Sequence, residues 1–234
     1  MASPVESESP LRRTLMLLGG NEWKDASAEA DTWWLSRSSR PVVTVITSAA
    51  QDIPDTQVAW AADHFRELGA KVEGCQIQSR RDAADTHLLE QLAQAAAIYL
   101  CGGDPGAAQQ ALWDTPAATA LLAAYRAGVP LAGSSAGAMV LGAVCLVPGQ
   151  DFATRPGLGL FAAAVVPHWR GANRRWRETA HRLSEESEVI AVDESTGACW
   201  DGRTWSARGP GRALVVGRDG EFPVGKGRPS PPVE

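Results

Sequence analysis

Six short apolar segments recur along this chain, and helical patterns separate most of them. Apolar runs of four to six residues without alternating polarity are typical of strands that are covered on both faces. The predicted strands cover residues 14–18, 42–47, 71–76, 97–101, 129–132 and 163–166. Amphipathic helices with start and stop signals are predicted over 56–68, 86–95 and 115–127. This alternation predicts an α/β fold of three αβα layers around a mostly parallel, twisted sheet.

The pattern changes towards the C-terminus. Short apolar segments at 197–200, 204–206 and 212–216, with an Asp201-Gly202 turn after the first, predict an antiparallel hairpin or meander. The polar residues 1–12 are expected to form a disordered arm, and 220–234, rich in Gly and Pro, a tail. The interval 13–219 is therefore predicted to fold as one domain.

Charge and composition narrow the range of partners. The chain carries a mild net charge of -5 and no concentrated block of Lys and Arg, so we expect neither nucleic acid nor membrane as a partner. Residues 1–10 lack the basic and apolar regions of a signal peptide, which favours a soluble, cytoplasmic protein. A small molecule or peptide is the expected partner, with a second copy of the chain, in a homodimer, as a further candidate.

The four cysteines are scattered singly in apolar surroundings, without the close pairs of metal sites: Cys75, Cys101, Cys145 and Cys199. Buried, reduced thiols are the expected state. We expect neither a metal nor an organic cofactor.

One motif indicates covalent chemistry. Gly133-Ser134-Ser135-Ala136-Gly137 has the pattern GxSxG and directly follows a predicted strand. On such a strand-to-helix turn a serine hydroxyl is exposed, and the backbone N–H groups of the following helix face developing negative charge. Ser135 is therefore the candidate nucleophile, and the N–H of Ala136 is one candidate donor to an oxyanion.

A serine nucleophile needs a base, and one of the four histidines is suitably placed. His64, His87 and His181 fall within helical patterns, where a surface or helix-packing role is expected. His168 follows Val165-Val166-Pro167, at the point where a predicted strand gives way to a loop. We therefore predict His168 as the base.

The carboxylate that would orient the histidine is less clearly marked. Asp151, in the loop Pro148-Gly149-Gln150-Asp151, is the first candidate, although a turn aspartate that caps its own backbone fits the same pattern. Asp193 and Glu194 follow the predicted strand 189–192 and are rivals. A Ser-His pair without a carboxylate is the third possibility.

A second oxyanion donor is expected from Cys101-Gly102-Gly103-Asp104, because glycines allow the backbone to approach a substrate closely. Gly103 is the candidate donor, and Gly102 and Asp104 are candidates for substrate binding. A phosphate-binding loop is the competing interpretation, but the sequence has neither GxGxxG nor GxxxxGK[ST] at this place.

Together these segments resemble peptidase family S51, which contains dipeptidase E and cyanophycinase and shares a fold related to class I glutamine amidotransferases. The resemblance rests on Leu18-Gly19-Gly20-Asn21-Glu22, Tyr99 to Asp104, Gly133 to Ala138, Pro167-His168-Trp169 and Val192 to Thr196. It implies Ser135 as nucleophile, His168 as base, and Gly103 and Ala136 as oxyanion donors. In dipeptidase E the acid follows an asparagine in the loop between nucleophile and histidine, and here Gln150-Asp151 takes the comparable place. Cyanophycinase has Asp-Gln before its histidine, where this chain has Val166-Pro167, so the dipeptidase side is favoured.

The resemblance also places arginines that set specificity after the histidine. Arg170, Arg174 and Arg177 are candidates to bind a substrate carboxylate, such as an N-terminal aspartate. A solvated helix face paired with Glu178, Glu185 and Glu186 is the alternative.

The functional prediction is a serine exopeptidase or dipeptidase that cleaves small peptides. The alternatives are a cyanophycinase-like peptidase, an esterase with the same triad, and a binding or regulatory protein on the same scaffold.

Overall fold

The structure is a computed structural model that describes residues 13–149, 152–227 and 229–232. The predicted arm over residues 1–12 lies outside these ranges. The strands are β1 (Leu15–Leu18), β2 (Val42–Ile46), β3 (Lys71–Cys75), β4 (Ile98–Leu100), β5 (Leu131–Ser134), β6 (Gly142–Val147), β7 (Ala153–Pro156), β8 (Phe161–Val166), β9 (Glu188–Val192), β10 (Gly197–Trp200), β11 (Trp205–Arg208), β12 (Ala213–Gly217) and β13 (Gly220–Pro223). The helices are α1 (Ala28–Leu35), α2 (Pro54–Glu67), α3 (Thr86–Ala93), α4 (Pro105–Leu112), α5 (Pro116–Arg126), α6 (Ala136–Leu141), α7 (Arg174–Leu183) and α8 (Val224–Gly227).

Among the described residues, seven strands form a sheet in the order β11-β10-β1-β5-β4-β2-β3. The five strands from β1 to β5 are parallel, and the hairpin of β10 and β11 adds two antiparallel strands at the β1 edge. The α/β class, the helices on both sides and the C-terminal hairpin are thus confirmed.

Alternate residues of β1 point into two different cores. Leu15 and Leu17 join a core that also contains residues of α3 to α6, whereas Met16 and Leu18 pack with α1 and α2. All four side chains are fully buried. This two-sided burial explains why β1 is apolar without alternation.

Several helices begin after a residue whose side chain caps the first turn. The Asp85 carboxylate accepts N–H groups at the start of α3, and the Thr115 hydroxyl does so at the start of α5, where Pro116 takes the first turn. Asn173 caps α7 in the same way. The observed α2, α3 and α5 begin and end within about two residues of the predicted helices.

A second sheet, which the sequence analysis did not separate from the first, contains six strands among the described residues in the order β13-β12-β9-β8-β6-β7. The predicted strands at 163–166, 189–192 and 212–216 all belong to it. The reason lies in the short helix α6, which leads directly into β6, so that the chain leaves the first sheet after β5.

The C-terminal boundary of the domain also needs correction. The segment 220–223, assigned from composition to a tail, is strand β13 and pairs with β12 from Gly217↔Gly220 to Leu214↔Pro223. A proline is tolerated there because β13 lies at the edge of its sheet. Across the described ranges, no helix combines the length and the apolar character that crossing a membrane requires.

Candidate active site

Ser135 occupies a strained turn between β5 and α6. Its φ and ψ of 46° and -112° lie outside the regions that residues with side chains favour, at a cost of about 1–3 kcal/mol. A Cβ on Gly133 would lie 2.6 Å from the carbonyl carbon of Gly137, and a Cβ on Gly137 would lie 2.3 Å from the carbonyl oxygen of Leu100. The two glycines of the GxSxG pattern are therefore required because β5, α6 and the end of β4 meet here without room for side chains.

His168 follows β8 of the second sheet and faces Ser135 of the first. Its Nε2 lies 2.9 Å from Ser135 Oγ. The residue has a left-handed backbone conformation with φ of 55°, and its N–H donates to the carbonyl of Gly19 at 2.9 Å. A loop that follows β1 thus fixes the histidine at the point where the two sheets meet.

Glu194 is the carboxylate that contacts the histidine. Its Oε1 lies 2.8 Å from His168 Nδ1, and both side chains are about half exposed, at 58% and 45%. Because a carboxylate only accepts hydrogen bonds, Nδ1 donates to Glu194, and an imidazole with its one proton on Nδ1 can accept from the Ser135 hydroxyl at Nε2. The three side chains form one directed chain of hydrogen bonds.

The other two acid candidates from the sequence are Asp193 and Asp151. Asp193 is buried, and its Oδ2 accepts the N–H of Arg212 at 2.9 Å, so this carboxylate anchors the start of β12. Asp151, the first candidate from sequence, lies outside the described residues.

The loop after β1 holds the histidine and the glutamate in place. The Gly19 N–H donates to the carbonyl of Thr196 at 3.0 Å, and the Ser195 N–H donates to the carbonyl of Gly20 at 2.8 Å. The Asn21 amide donates to Ser195 Oγ at 3.0 Å. In the sequence this segment contributed only to the family resemblance. Its signal was a Gly-Gly-Asn run directly after a buried strand.

Positive φ values concentrate at this place. Of the six described residues other than glycine with positive φ, five belong to these loops: Asn21, Trp23, Ser135, His168 and Ser195. Such conformations cost free energy and persist where the surroundings enforce them, which is common at functional sites.

The glycine loop after β4 lies beside the turn of Ser135. Gly103 has φ of 140°, and a Cβ there would lie 2.1 Å from the carbonyl oxygen of Ala49. Within the described residues, no hydrogen bond occupies the N–H of Gly103 or of Ala136. The Gly102 N–H, by contrast, donates to Glu22 Oε1 at 2.7 Å. The N–H groups of Gly103 and Ala136, the two predicted oxyanion donors, are thus not engaged by other described residues.

The remaining candidates for substrate binding are engaged elsewhere. Asp104 caps α4 by accepting the N–H groups of Gly106 and Ala107. Arg174 is exposed and pairs with Glu178 at 2.6 Å. Arg177 donates to the carbonyl of Trp169 at 2.9 Å, with its guanidinium 4.5 Å from the indole centre. The structure brings neither arginine to Ser135.

Arg170 lines a different cavity, of about 400 Å³, on the Glu194 side of the histidine.

Ser135 and His168 open into a cleft of about 400 Å³, which is in the size range of small-ligand sites. Gly102 and Gly103 form part of its wall. Its other lining residues are Asn21, Glu22, Trp23, Lys24, Gln57 and Trp60. Lys24 is the cationic side chain among the described residues that line it.

Nowhere in the described ranges do three or more His, Cys, Asp or Glu residues form a group that could hold a metal ion.

Comparison with known proteins agrees with the resemblance. The sequence profile of peptidase family S51 matches residues 15–206. No curated protein sequence matches the chain.

Two of the solved structures that match the chain illustrate the shared fold. A peptidase from an acI-B1 Actinobacterium is 24% identical with a TM-score of 0.77, covering 91% of this chain and 94% of that one. A putative peptidase E from Listeria monocytogenes EGD-e is 18% identical with a TM-score of 0.63, covering 85% of this chain and 99% of that one.

Proposed function

Because this chain belongs to peptidase family S51 and is a serine-type peptidase, we propose that it is a dipeptidase or exopeptidase that cleaves small peptides through an acyl-enzyme on Ser135. The observation that carries the proposal is the chain of contacts from Ser135 Oγ to His168 Nε2 at 2.9 Å and from His168 Nδ1 to Glu194 Oε1 at 2.8 Å. Nucleophile, base and orienting acid are within hydrogen-bond reach of each other, as this chemistry requires.

The first half of the reaction acylates the enzyme. Ser135 Oγ attacks the scissile carbonyl carbon while its proton passes to His168 Nε2, and Glu194 stabilises the imidazolium. The carbonyl oxygen becomes an oxyanion that accepts the N–H groups of Gly103 and Ala136. The C–N bond then breaks, the imidazolium gives its proton to the leaving amine, and an ester on Ser135 remains.

The second half releases the acid. A water molecule attacks the ester carbon while His168 takes one of its protons, and the same two N–H groups receive the oxyanion. The bond to Ser135 Oγ breaks, and the imidazolium returns the proton to Oγ. One water molecule is consumed, and the products are a carboxylic acid and an amine.

The size of the cleft supports a short substrate. A volume of about 400 Å³ accommodates one or two residues on the acyl side rather than a folded polypeptide. An N-terminal aspartate would require a cation, and Lys24 rather than Arg174 or Arg177 is in place to provide one. Aspartyl dipeptides are therefore part of the proposal, with Lys24 as their binding residue.

The proposal is tested with a dipeptide panel that compares Asp-X, β-aspartyl and neutral N-terminal residues. Wild type is expected to cleave at least one class, and Ser135→Ala to lose at least about 10³-fold in rate. A fluorophosphonate probe should label wild type and not Ser135→Ala.

The panel includes a matched control variant. Ser184→Ala removes a hydroxyl beyond the end of α7 whose one hydrogen bond among the described residues goes to the carbonyl of His181, so the activity and labelling of this variant should equal those of wild type. A folded wild type that cleaves no peptide would refute the dipeptidase proposal.

A further inference from the structure

We propose that the Glu22 carboxylate binds the free α-ammonium group of the substrate, so that the cleft selects the amino-terminal residue of a peptide. This inference rests on the proposed function, because it assigns the group that recognises the substrate of the same site. It goes further by naming the end of the peptide that is recognised and the residue that recognises it.

Glu22 lies between the two backbone segments that would surround the reacting carbonyl. Its Oε1 accepts the Gly102 N–H at 2.7 Å, and its Oε2 accepts the Ser134 hydroxyl at 2.8 Å. Gly102 precedes Gly103, and Ser134 precedes Ser135. The carboxylate is thus one residue away from an oxyanion donor on one side and from the nucleophile on the other.

The carboxylate retains binding capacity and forms no ion pair with another described residue. Two carboxylate oxygens offer about four acceptor positions, and the described contacts use two of them. No cationic side chain of the described residues forms an ion pair with Glu22. Its charge acts on the buried Asp31 and Cys101 and raises the pKa of both, although burial is the larger cause in each case. A half-buried anion on the cleft wall, without a cation of its own, favours a cationic ligand.

The geometry of a peptide places an ammonium group there. In a residue with a free amino terminus, the nitrogen is separated from the carbonyl carbon by one Cα, a distance of about 2.5 Å. With the carbonyl carbon at Ser135 Oγ and its oxygen at Gly103, the ammonium nitrogen falls next to these segments, where Glu22 lies. An internal residue would present a neutral amide and further chain at this point, and a C-terminal carboxylate would be repelled.

Glu22 also supports the turn of Ser135 through Ser134, so the experiment must separate binding from support. The variant is Glu22→Gln, which keeps the shape and removes the charge. It is assayed with the best dipeptide of the panel and with the deamino analogue of that dipeptide, in which hydrogen replaces the α-ammonium group. Glu73→Gln is the matched control, because Glu73 is exposed on β3 and the change in net charge is the same.

The substitution Glu22→Gln is expected to lower kcat/KM for the dipeptide about 10- to 100-fold more than it lowers kcat/KM for the deamino analogue, because the dipeptide alone loses a charge-assisted contact. In wild type, KM for the dipeptide should also rise as pH is raised above the pKa of the substrate amine, about 8, because the ammonium group loses its charge. KM for the analogue should not change over this range. Equal losses on both substrates would assign Glu22 to support of the turn alone and overturn the inference.

The comparison of the dipeptide with its deamino analogue in wild type tests the inference even without the Glu22→Gln variant. If Glu22→Gln does not fold, equal cleavage of dipeptide and analogue by wild type still refutes ammonium recognition, and a preference of tenfold or more supports it. Cleavage without such a preference refutes the inference and leaves the proposed function intact. A wild type that cleaves no peptide and takes no fluorophosphonate label refutes both.

Discussion

Gly20 lies directly against the imidazole of His168, so closely that a Cβ on Gly20 would be 2.2 Å from Cε1 and 2.7 Å from Nε2. Gly20 also has φ of 101°, which a residue with a side chain adopts with strain. The position of the base is therefore set in part by the absence of a side chain on the loop after β1.

Gly20→Ala is expected to lower kcat/KM by about 100-fold or more, because the imidazole must move away from Ser135 Oγ by a substantial fraction of an ångström. The measurement is steady-state hydrolysis of the best dipeptide. Gly69→Ala is the control, since Gly69 also has positive φ, at 81°, but nothing lies within 4 Å of its Cβ position. Equal losses of activity in the two variants would assign the effect to backbone strain.

Glu194→Gln is expected to lower kcat by about 10²- to 10⁴-fold with little change in KM. The amide cannot stabilise the imidazolium and favours the wrong tautomer of His168. Asp151→Asn is the comparison that decides between the two acid candidates, and it should retain at least about a third of the wild-type rate. A severe loss in Asp151→Asn beside an active Glu194→Gln would return the role to Asp151.

The thiols are expected to be inert in the folded protein. Burial raises the pKa of Cys75, Cys101 and Cys145 to about 12 each, and that of Cys199 is also raised. At pH 8 a thiol with such a pKa is ionised about 10³-fold less than an ordinary cysteine. A thiol titration should therefore find no fast-reacting group in the native protein and four after unfolding, with activity unchanged by the reagent. Rapid inactivation would contradict this.

Stability should depend on pH through a buried pair in the core between α1 and α2. Asp31 Oδ2 accepts from Ser27 Oγ at 2.8 Å and lies 2.9 Å from His64 Nε2. Burial raises the pKa of Asp31 above its ordinary value, against the opposing effect of His64. The native state therefore binds this proton more tightly than the unfolded chain, and the stabilisation present at low pH is lost as pH rises through the native pKa.

Asp31→Asn removes that titration. Its free energy of unfolding should improve relative to wild type as pH is raised from 4 to 7, measured by urea denaturation at several pH values. Asp63→Asn, at an exposed position on α2, is the control and should follow wild type across the range. Parallel curves for Asp31→Asn and wild type would show that protonation of Asp31 is not linked to folding.

Local sequence patterns predict the first sheet well. Strands β1, β2, β4 and β5 are apolar because both of their faces are covered, and the helices between the strands carry capping residues such as Asp85 and Thr115. The edge strand β3 is the exception, since most of its residues are exposed. Ser135 and His168 could be selected because Ser135 directly follows the buried strand β5 and His168 lies one residue beyond the buried strand β8. These features depend on residues that are close in sequence.

The second sheet and the partners of Glu194 and Arg177 could not be predicted in this way, because they depend on contacts between residues that are distant in the sequence. Assigning β8 and β9 to a second sheet required knowing that α6 leads into β6, and the contact of Glu194 with His168 spans 26 positions. Arg177 has the chemistry of a carboxylate-binding residue, but Trp169 and its carbonyl already occupy it. A sequence gives the chemical type of a side chain and not the partner that it has already found.

The location of the site at the junction of the two sheets predicts how the enzyme loses its activity. Ser135 ends a strand of one sheet, His168 ends a strand of the other, and Glu194 lies on the connection that returns from the second sheet to the first. Sliding or tilting of one sheet against the other therefore changes the distance from Oγ to Nε2 before any strand separates from its neighbours. Catalytic turnover therefore depends on the alignment of the two sheets. Mild denaturant should abolish turnover at concentrations at which the circular dichroism spectrum is still that of the folded chain.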